Sequence, residues 1–233
     1  MVDLTSEMAG LLAALGPAPA YRGRVIQFVS AGAGEGVSTV AREFARLAAV
    51  RARKPVWLVD ADLSHQSQQD AVAAEADRFG RLGQATVASP DGSIFYAVSP
   101  QLVGRDGDPV APARLLTARP CLGGRLFVTR FGIESLRSGQ RVETIPEARY
   151  WDAMRKHSET VVIDSPAADR SDTSIVLAPF VDATVLVVAA ESTAANEPVI
   201  LRDEIEAVGG RIAGVVVNRS RYKPPGFLKR LTG

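Results

Sequence analysis

The chain has 233 residues, 46% hydrophobic and 23% charged, and its 27 basic and 26 acidic residues leave a net charge of +1. That is enough apolar material for one substantial core, which excludes a disordered polyelectrolyte. It supplies no overall field for nucleic acid or an anionic membrane, so no nucleic-acid partner is expected. Cys121 is the sole cysteine, which excludes an internal disulfide and a cysteine-based zinc cluster.

In chain order, Leu4, Met8, Leu11, Leu12 and Leu15 share a helical stripe, stopped by Gly16-Pro17, with Thr5 or Ser6 as caps. This gives an N-terminal helix within residues 1–16. VIQFVS (25–30) reads as a buried strand, AGAGEGVST as a turn, 39–53 as a helix and PVWLVD (55–60) as a second strand. Strand, glycine loop, helix and strand make a βαβ unit. Further on, 66–79 reads as a helix, IFYAV (94–98) as a strand, 103–112 as a loop and RLFVTRF (125–131) as a strand. A helix over 146–157 follows, then TVVIDSP (160–166) and ATVLVVAA (183–190) as strands. The pattern closes with a helix over 193–208, Val199, Leu201, Ile205 and Val208 facing inward, and a last strand RIAGVVVN (211–218). Continuous β-branched runs indicate parallel strands covered on both faces. The expected fold is a three-layer α/β/α sandwich of P-loop NTPase type with a mostly parallel sheet, one domain over 1–233 ending in a basic tail, 219–233.

A phosphate cradle needs successive backbone N–H groups aimed at an anion, followed by a helix N-terminus. Gly32, Gly34 and Gly36, then Ser38 and Thr39, supply these features. Against the pattern GxxxxGK[ST], the window AGAGEGVS has Ala31 at the first glycine and Val37 at the lysine. Valine cannot compensate β- and γ-phosphate charge. Asp60 and Asp62 lie at the carboxyl end of one strand and Asp164 ends another, where ligands of parallel sheets gather. Carboxylates there suit Mg²⁺. Asn218 follows the last strand, and its amide suits a purine edge. His65 and His157 are isolated from other ligand-type residues, and Cys121 has no base beside it in sequence.

The segments VIQFVSAGAGEGVSTVAREFARLAA, PVWLVDADL, VVIDSPAAD, VDATVLVVAAESTAAN and IAGVVVNRS, spread over residues 20–220, resemble the bacterial tyrosine kinases of capsule and exopolysaccharide synthesis. Those kinases sit in the MinD/ParA-like group of P-loop ATPases. The resemblance implies ATP or ADP with Mg²⁺ as cofactors. It implies nucleotide contacts at Gly34, Glu35, Gly36, Val37, Ser38, Thr39 and Asn218, metal ligands at Ser38, Asp60 and Asp164, and catalytic carboxylates at Asp60 and Asp62. Asp172 and Asp182 also match family positions.

The departures fall on separate elements. Val37 replaces the loop lysine, and Gly32 stands where the wider group has another. LSHQSQ replaces an arginine-rich run after Asp62, and Ala167 replaces a proline. Gly10 and Ala13 replace ring-assembly arginines, and Tyr222 alone represents the C-terminal tyrosine cluster. Weak or absent nucleotide binding and impaired transfer are therefore expected, with Arg42 and Arg130 open as substitute cations. The expected role is to regulate or scaffold extracellular polysaccharide synthesis, with a membrane polysaccharide chain-length or export protein as partner and a homodimer as one assembly. An active kinase and a ParA/MinD-like positioning ATPase are the alternatives. No run of 18 apolar residues occurs and the start lacks a basic leader. A cytoplasmic location, peripheral to the inner membrane face through the partner, is expected. The tail, with Arg219, Arg221, Lys223, Lys229 and Arg230 around Tyr222 and Phe227, reads either as a solvated basic end or as a docking segment for that partner or the leaflet beside it.

Overall fold

The computed structural model describes residues 4–101, 112–191 and 196–219. The 103–112 loop, except residue 112, the tail beyond Arg219 and the start of the 193–208 helix lie outside the described residues. The first half runs α1 (Thr5–Ala14), β1 (Arg24–Val29), α2 (Val37–Arg51), β2 (Val56–Asp60), α3 (Gln68–Ala74), α4 (Ala76–Phe79), β3 (Thr86–Val87) and β4 (Tyr96–Ser99). The second half runs β5 (Leu116–Cys121), β6 (Leu126–Phe131), β7 (Arg141–Thr144), α5 (Ala148–His157), β8 (Thr160–Asp164), α6 (Thr173–Leu177), β9 (Ala183–Ala189), α7 (Glu197–Ala207) and β10 (Ile212–Asn218).

The eight-stranded sheet has the order β10-β9-β1-β8-β2-β6-β5-β3. From β10 to β6 every pairing is parallel, while at the far edge β5 pairs antiparallel with both β6 and β3. Strands β1, β2 and β8 are buried along their whole length, as their largely apolar sequences require, and the polar Gln27 within β1 is buried with its amide donating to the Ser174 carbonyl at 2.9 Å. Ile26 and Phe28 face α1 and α2, and Phe28 meets Phe44 with ring centroids 5.2 Å apart. Val25 and Ile163 face the opposite layer, where Phe95, just before β4, Tyr96 of β4, and Tyr150 and Trp151 of α5 form an aromatic cluster. This is the three-layer α/β/α arrangement of P-loop NTPases.

Several elements differ from the sequence reading. The 66–79 helix is two pieces, because Glu75 leaves helical geometry at φ −112° and ψ 43°. IFYAV contributes only β4, which pairs with β7 in a separate two-stranded sheet. Strand β5 carries Pro120 and lacks an apolar run, so its pattern hid it. On α7, Leu201 and Ile205 are buried one turn apart, whereas Val199 points to the other side and Val208 lies past the helix, so both are exposed. β10 is an edge strand with Val215 and Val217 exposed, not a strand covered on both faces.

Arg24, a charged residue in a buried strand, has a local reason. Its guanidinium Nη1 donates to the carbonyls of Leu15 at 3.2 Å and Gly16 at 2.6 Å, satisfying the C-terminal end of α1. Burial lowers its pKa from the ordinary guanidinium value. Asp182 is also structural: it accepts from Arg22 at 2.8 Å, Arg155 at 3.0 Å and the Val25 N–H at 2.7 Å, away from the glycine loop. Arg24→Met keeps volume and removes the donors. It is expected to lower the unfolding free energy by about 1.5–3 kcal/mol in urea titration. A change within about 0.5 kcal/mol would contradict this account of how α1 is held.

Candidate functional site

Parallel pairing brings the ends of β1, β2, β8, β9 and β10 to one edge of the sheet, and the glycine loop leaves β1 there. Two left-handed residues shape the loop, Gly34 at φ 83° and Gly36 at φ 95°. Gly36 is fixed on two counts, since a Cβ there would also lie 2.1 Å from Asn218 Nδ2. The Asn218 amide donates to the Glu35 carbonyl at 2.8 Å, tying the last strand to the loop. The Glu35 carboxylate is buried and turns back into the protein, accepting from Gly32 N–H at 2.9 Å and Ala189 N–H at 3.1 Å. Asp169 Oδ2 accepts from Ala33 N–H at 3.0 Å.

These braces use the first amides of the loop and leave the next ones free. The backbone N–H groups of Gly34, Glu35, Gly36, Val37 and Ser38 have no hydrogen-bond partner among the described residues. They lead into the N-terminus of α2, a fifteen-residue helix. Successive free amides at a helix start are the components of an anion cradle. They line a cleft of about 290 Å³ together with Thr39, Asp60, Asp62, His65, Asp164, Ser165, Arg170 and Arg219. Val37, at the lysine position, is 6% exposed and packs with the core beneath α2.

The acidic residues play unequal parts. Asp60 and Asp164 are register partners on adjacent strands. The Asp60 carboxylate accepts from the N–H groups of Ser67 at 2.8 Å, Gln68 at 3.1 Å and Asp62 at 3.3 Å, so both its oxygens are engaged. Asp164 Oδ2 accepts from Gln68 Nε2 at 2.6 Å, while its buried Oδ1 has no partner. The Ser165 hydroxyl is buried without a partner beside it. Orphaned buried oxygens are costly and mark a place for a ligand, ion or water. The Ser38 hydroxyl faces Asp164 without completing a hydrogen bond to Oδ1. Hydroxyl and carboxylate oxygens are hard donors that fit Mg²⁺, and nucleotide phosphate oxygens complete such a shell. No group of three His, Cys, Asp or Glu among the described residues is arranged to hold a metal unaided. Asp62 accepts from Arg170 Nη2 at 2.7 Å and from His65 N–H at 3.0 Å.

The loop residues 34–39, Asp60, Asp62, Asp164 and Asn218 therefore lie together on this one edge, whereas Asp182, which also matches a family position, lies away from it. Gln68 and Arg170 were not singled out from the sequence. Gln68 is fully buried and bridges Asp164 to the Ser38 carbonyl, donating to the latter at 2.9 Å. Its sequence signal was the glutamine-rich LSHQSQ segment. Of the substitute cations considered, Arg42 bonds Gln68 at 3.3 Å and Arg130 pairs with Asp70 at 3.2 Å, and neither lines the cleft.

Burial, and for Asp60 also the Asp164 charge, raises both carboxyl pKa values above the ordinary range. A raised folded-state value means protonation favours the fold. The contribution is fully present below the unfolded carboxylate value near ~4 and is lost as pH rises towards neutrality. Asp164→Asn keeps the acceptor for Gln68 and removes one buried charge. It is expected to be more stable than the parent by about 1–3 kcal/mol at pH 8 and to show a flatter stability profile between pH ~4 and ~8. Equal urea midpoints for the two proteins at pH 8 would contradict the assignment.

No protein-family model and no curated protein sequence matches the chain. Solved structures do resemble it. The kinase domain of Escherichia coli tyrosine kinase ETK is 15% identical, with 95% of this chain and 74% of that chain covered and a TM-score of 0.56. The chimerical protein CapA2B2 is 18% identical, covering 95% of this chain and 87% of its own, with a TM-score of 0.58. A nucleotide-binding protein from Archaeoglobus fulgidus, solved in complex with ADP, is 18% identical over 87% of this chain and 69% of its own, with a TM-score of 0.52. At these identities the likeness is one of fold: the chain has the α/β architecture shared by tyrosine kinase domains and P-loop nucleotide-binding proteins.

Proposed function

We propose that this chain is a P-loop protein that holds nucleotide weakly and transfers phosphate poorly or not at all. Its role is then to regulate or scaffold extracellular polysaccharide synthesis or export, in contact with a membrane chain-length or export protein. One observation carries the biochemical part: a run of free loop amides beside a buried valine where a lysine would reach the phosphates. The cradle supports anion binding. The missing charge removes a preorganised group that a transferring phosphoryl needs, which costs about 10²–10³ in rate per group. The polysaccharide role is supported by the motif resemblance and the kinase-domain fold. Among the described residues no helix is long and apolar enough to cross a membrane.

The residues present divide the work as follows. The free amides of residues 34–38 would bind phosphate oxygens, Ser38 and Asp164 would hold Mg²⁺, and Gln68 keeps Asp164 oriented. Mg²⁺, when bound, neutralises phosphate charge. Asp60 caps α3 from inside the site and positions Asp62 through its N–H. Asp62 is already paired with Arg170, so its carboxylate is partly neutralised before any hydroxyl substrate arrives.

Calorimetry with ATP and ADP plus Mg²⁺ is expected to give dissociation constants weaker than ~1 μM, and labelled ATP is expected to show no transfer to the protein. Submicromolar binding with transfer that disappears in Asp62→Asn would replace this reading with an active kinase. Absence of any binding at millimolar nucleotide would remove the nucleotide from it. Val37→Lys is expected to tighten ATP binding by ~10-fold or more without restoring efficient turnover, because Ala167 and the Gln68 segment remain. Unchanged ATP affinity in Val37→Lys, with the fold kept, would contradict the missing lysine charge as the reason that binding is weak.

A further inference from the structure

The loop lacks its lysine, but the cleft does not lack cations. Arg170 and Arg219 both line it, and they arrive from separate parts of the chain. Arg170 follows β8 in a turn closed by its N–H to the Ala167 carbonyl at 3.0 Å, and its side chain is 45% exposed. Arg219 follows β10 directly. Its backbone is left-handed at φ 56°, uncommon for a residue with a Cβ, and its N–H donates to Asn218 Oδ1 at 2.9 Å. The same Asn218 is bonded to the loop at Glu35. Arg219 is therefore fastened to the cradle through one intervening amide, in a conformation that costs backbone energy. It has no ion pair among the described residues.

The cleft's charges explain why such groups are needed. Asp60, Asp62 and Asp164 line it, and Val37 contributes no compensation. A polyphosphate entering this cleft needs cations beyond one Mg²⁺. Arg170 is anchored on the Asp62 side at 2.7 Å and Arg219 on the Asn218 side. A guanidinium offers a planar fork of donors that suits phosphate oxygens and can serve a carboxylate at the same time.

We infer that Arg170 and Arg219 together replace the loop lysine, supplying from outside the loop the phosphate-facing charge that Val37 withdrew. The inference rests on the nucleotide reading above and deepens it. It assigns the specificity for a di- or triphosphate to residues outside the loop.

The test uses the full chain and titrates Mg²⁺ with ATP, ADP or AMP into the parent, Arg170→Gln, Arg219→Gln and the double variant. Both side chains are solvent-accessible, and circular dichroism checks that the fold is kept. Each single change is expected to weaken ATP by ~5–10-fold and the double by ~50-fold or more, with smaller losses for ADP and least for AMP. Adding Val37→Lys to the double variant is expected to recover most of the ATP loss, which mere structural damage would not allow. A double variant that binds ATP within ~2-fold of the parent overturns the inference while leaving the nucleotide reading intact. A loss that is equal for ATP and AMP, or that Val37→Lys does not recover, also overturns it. A parent that binds no nucleotide defeats the nucleotide reading itself, and the inference with it.

Discussion

Glu35 holds the site together by facing away from it. Its carboxylate is buried among the N–H groups of Gly32 and Ala189, and its carbonyl accepts from Asn218. One residue thus ties the loop to β9 and β10, and the loop cannot collapse onto the sheet edge without breaking charge-assisted bonds. Because this anion sits behind the loop, the amides of residues 34–38 stay open towards the cleft. Gly36 completes the constraint, since its left-handed backbone passes so close to Asn218 that no side chain fits. A loop that had merely lost its ligand would be free to lose these braces; here they are in place around a missing lysine.

The electrostatics follow from that frame. Strand pairing sets Asp60 beside Asp164 in a buried environment, where neither ionises as readily as in water. Asp60 is committed to capping α3, which leaves Asp164 with one oxygen that no described residue satisfies. The edge therefore presents the Ser38 hydroxyl and the unsatisfied Asp164 oxygen beside the free loop amides, the cation and anion donors that the proposed nucleotide reading requires. Arg170 and Arg219 add phosphate-facing charge from the outer wall.

The fold was legible where residues are buried on both sides. β1, β2, β8 and β9 read as strands because each is dominated by β-branched and other apolar residues, with single polar residues such as Gln27 and Thr184 buried within β1 and β9, and carboxylates stand at the ends of β2 and β8. The pattern failed where burial is one-sided or a bond between side chain and backbone takes over. β5 carries Pro120 and β10 is an edge strand, so neither follows the rule of continuous burial. Val199 looked like core because it is apolar, but the turn of α7 places it opposite Leu201. At the site, loop and carboxylates were visible as spacing. The inward turn of Glu35, the bridge through Gln68 and the approach of Arg170 depend on contacts across 154, 96 and 108 residues, which no local pattern encodes.

The central claim is that this loop remains an anion cradle despite Val37. The most direct measurement is the backbone amide spectrum of ¹⁵N-labelled protein during titration with Mg²⁺ and ADP. The account expects the largest shifts at the amides of Gly34, Glu35, Gly36, Val37 and Ser38, with Gly32 moving little because its N–H stays on Glu35. Saturating ADP that leaves residues 34–38 unmoved, or shifts confined to another part of the chain, would contradict it.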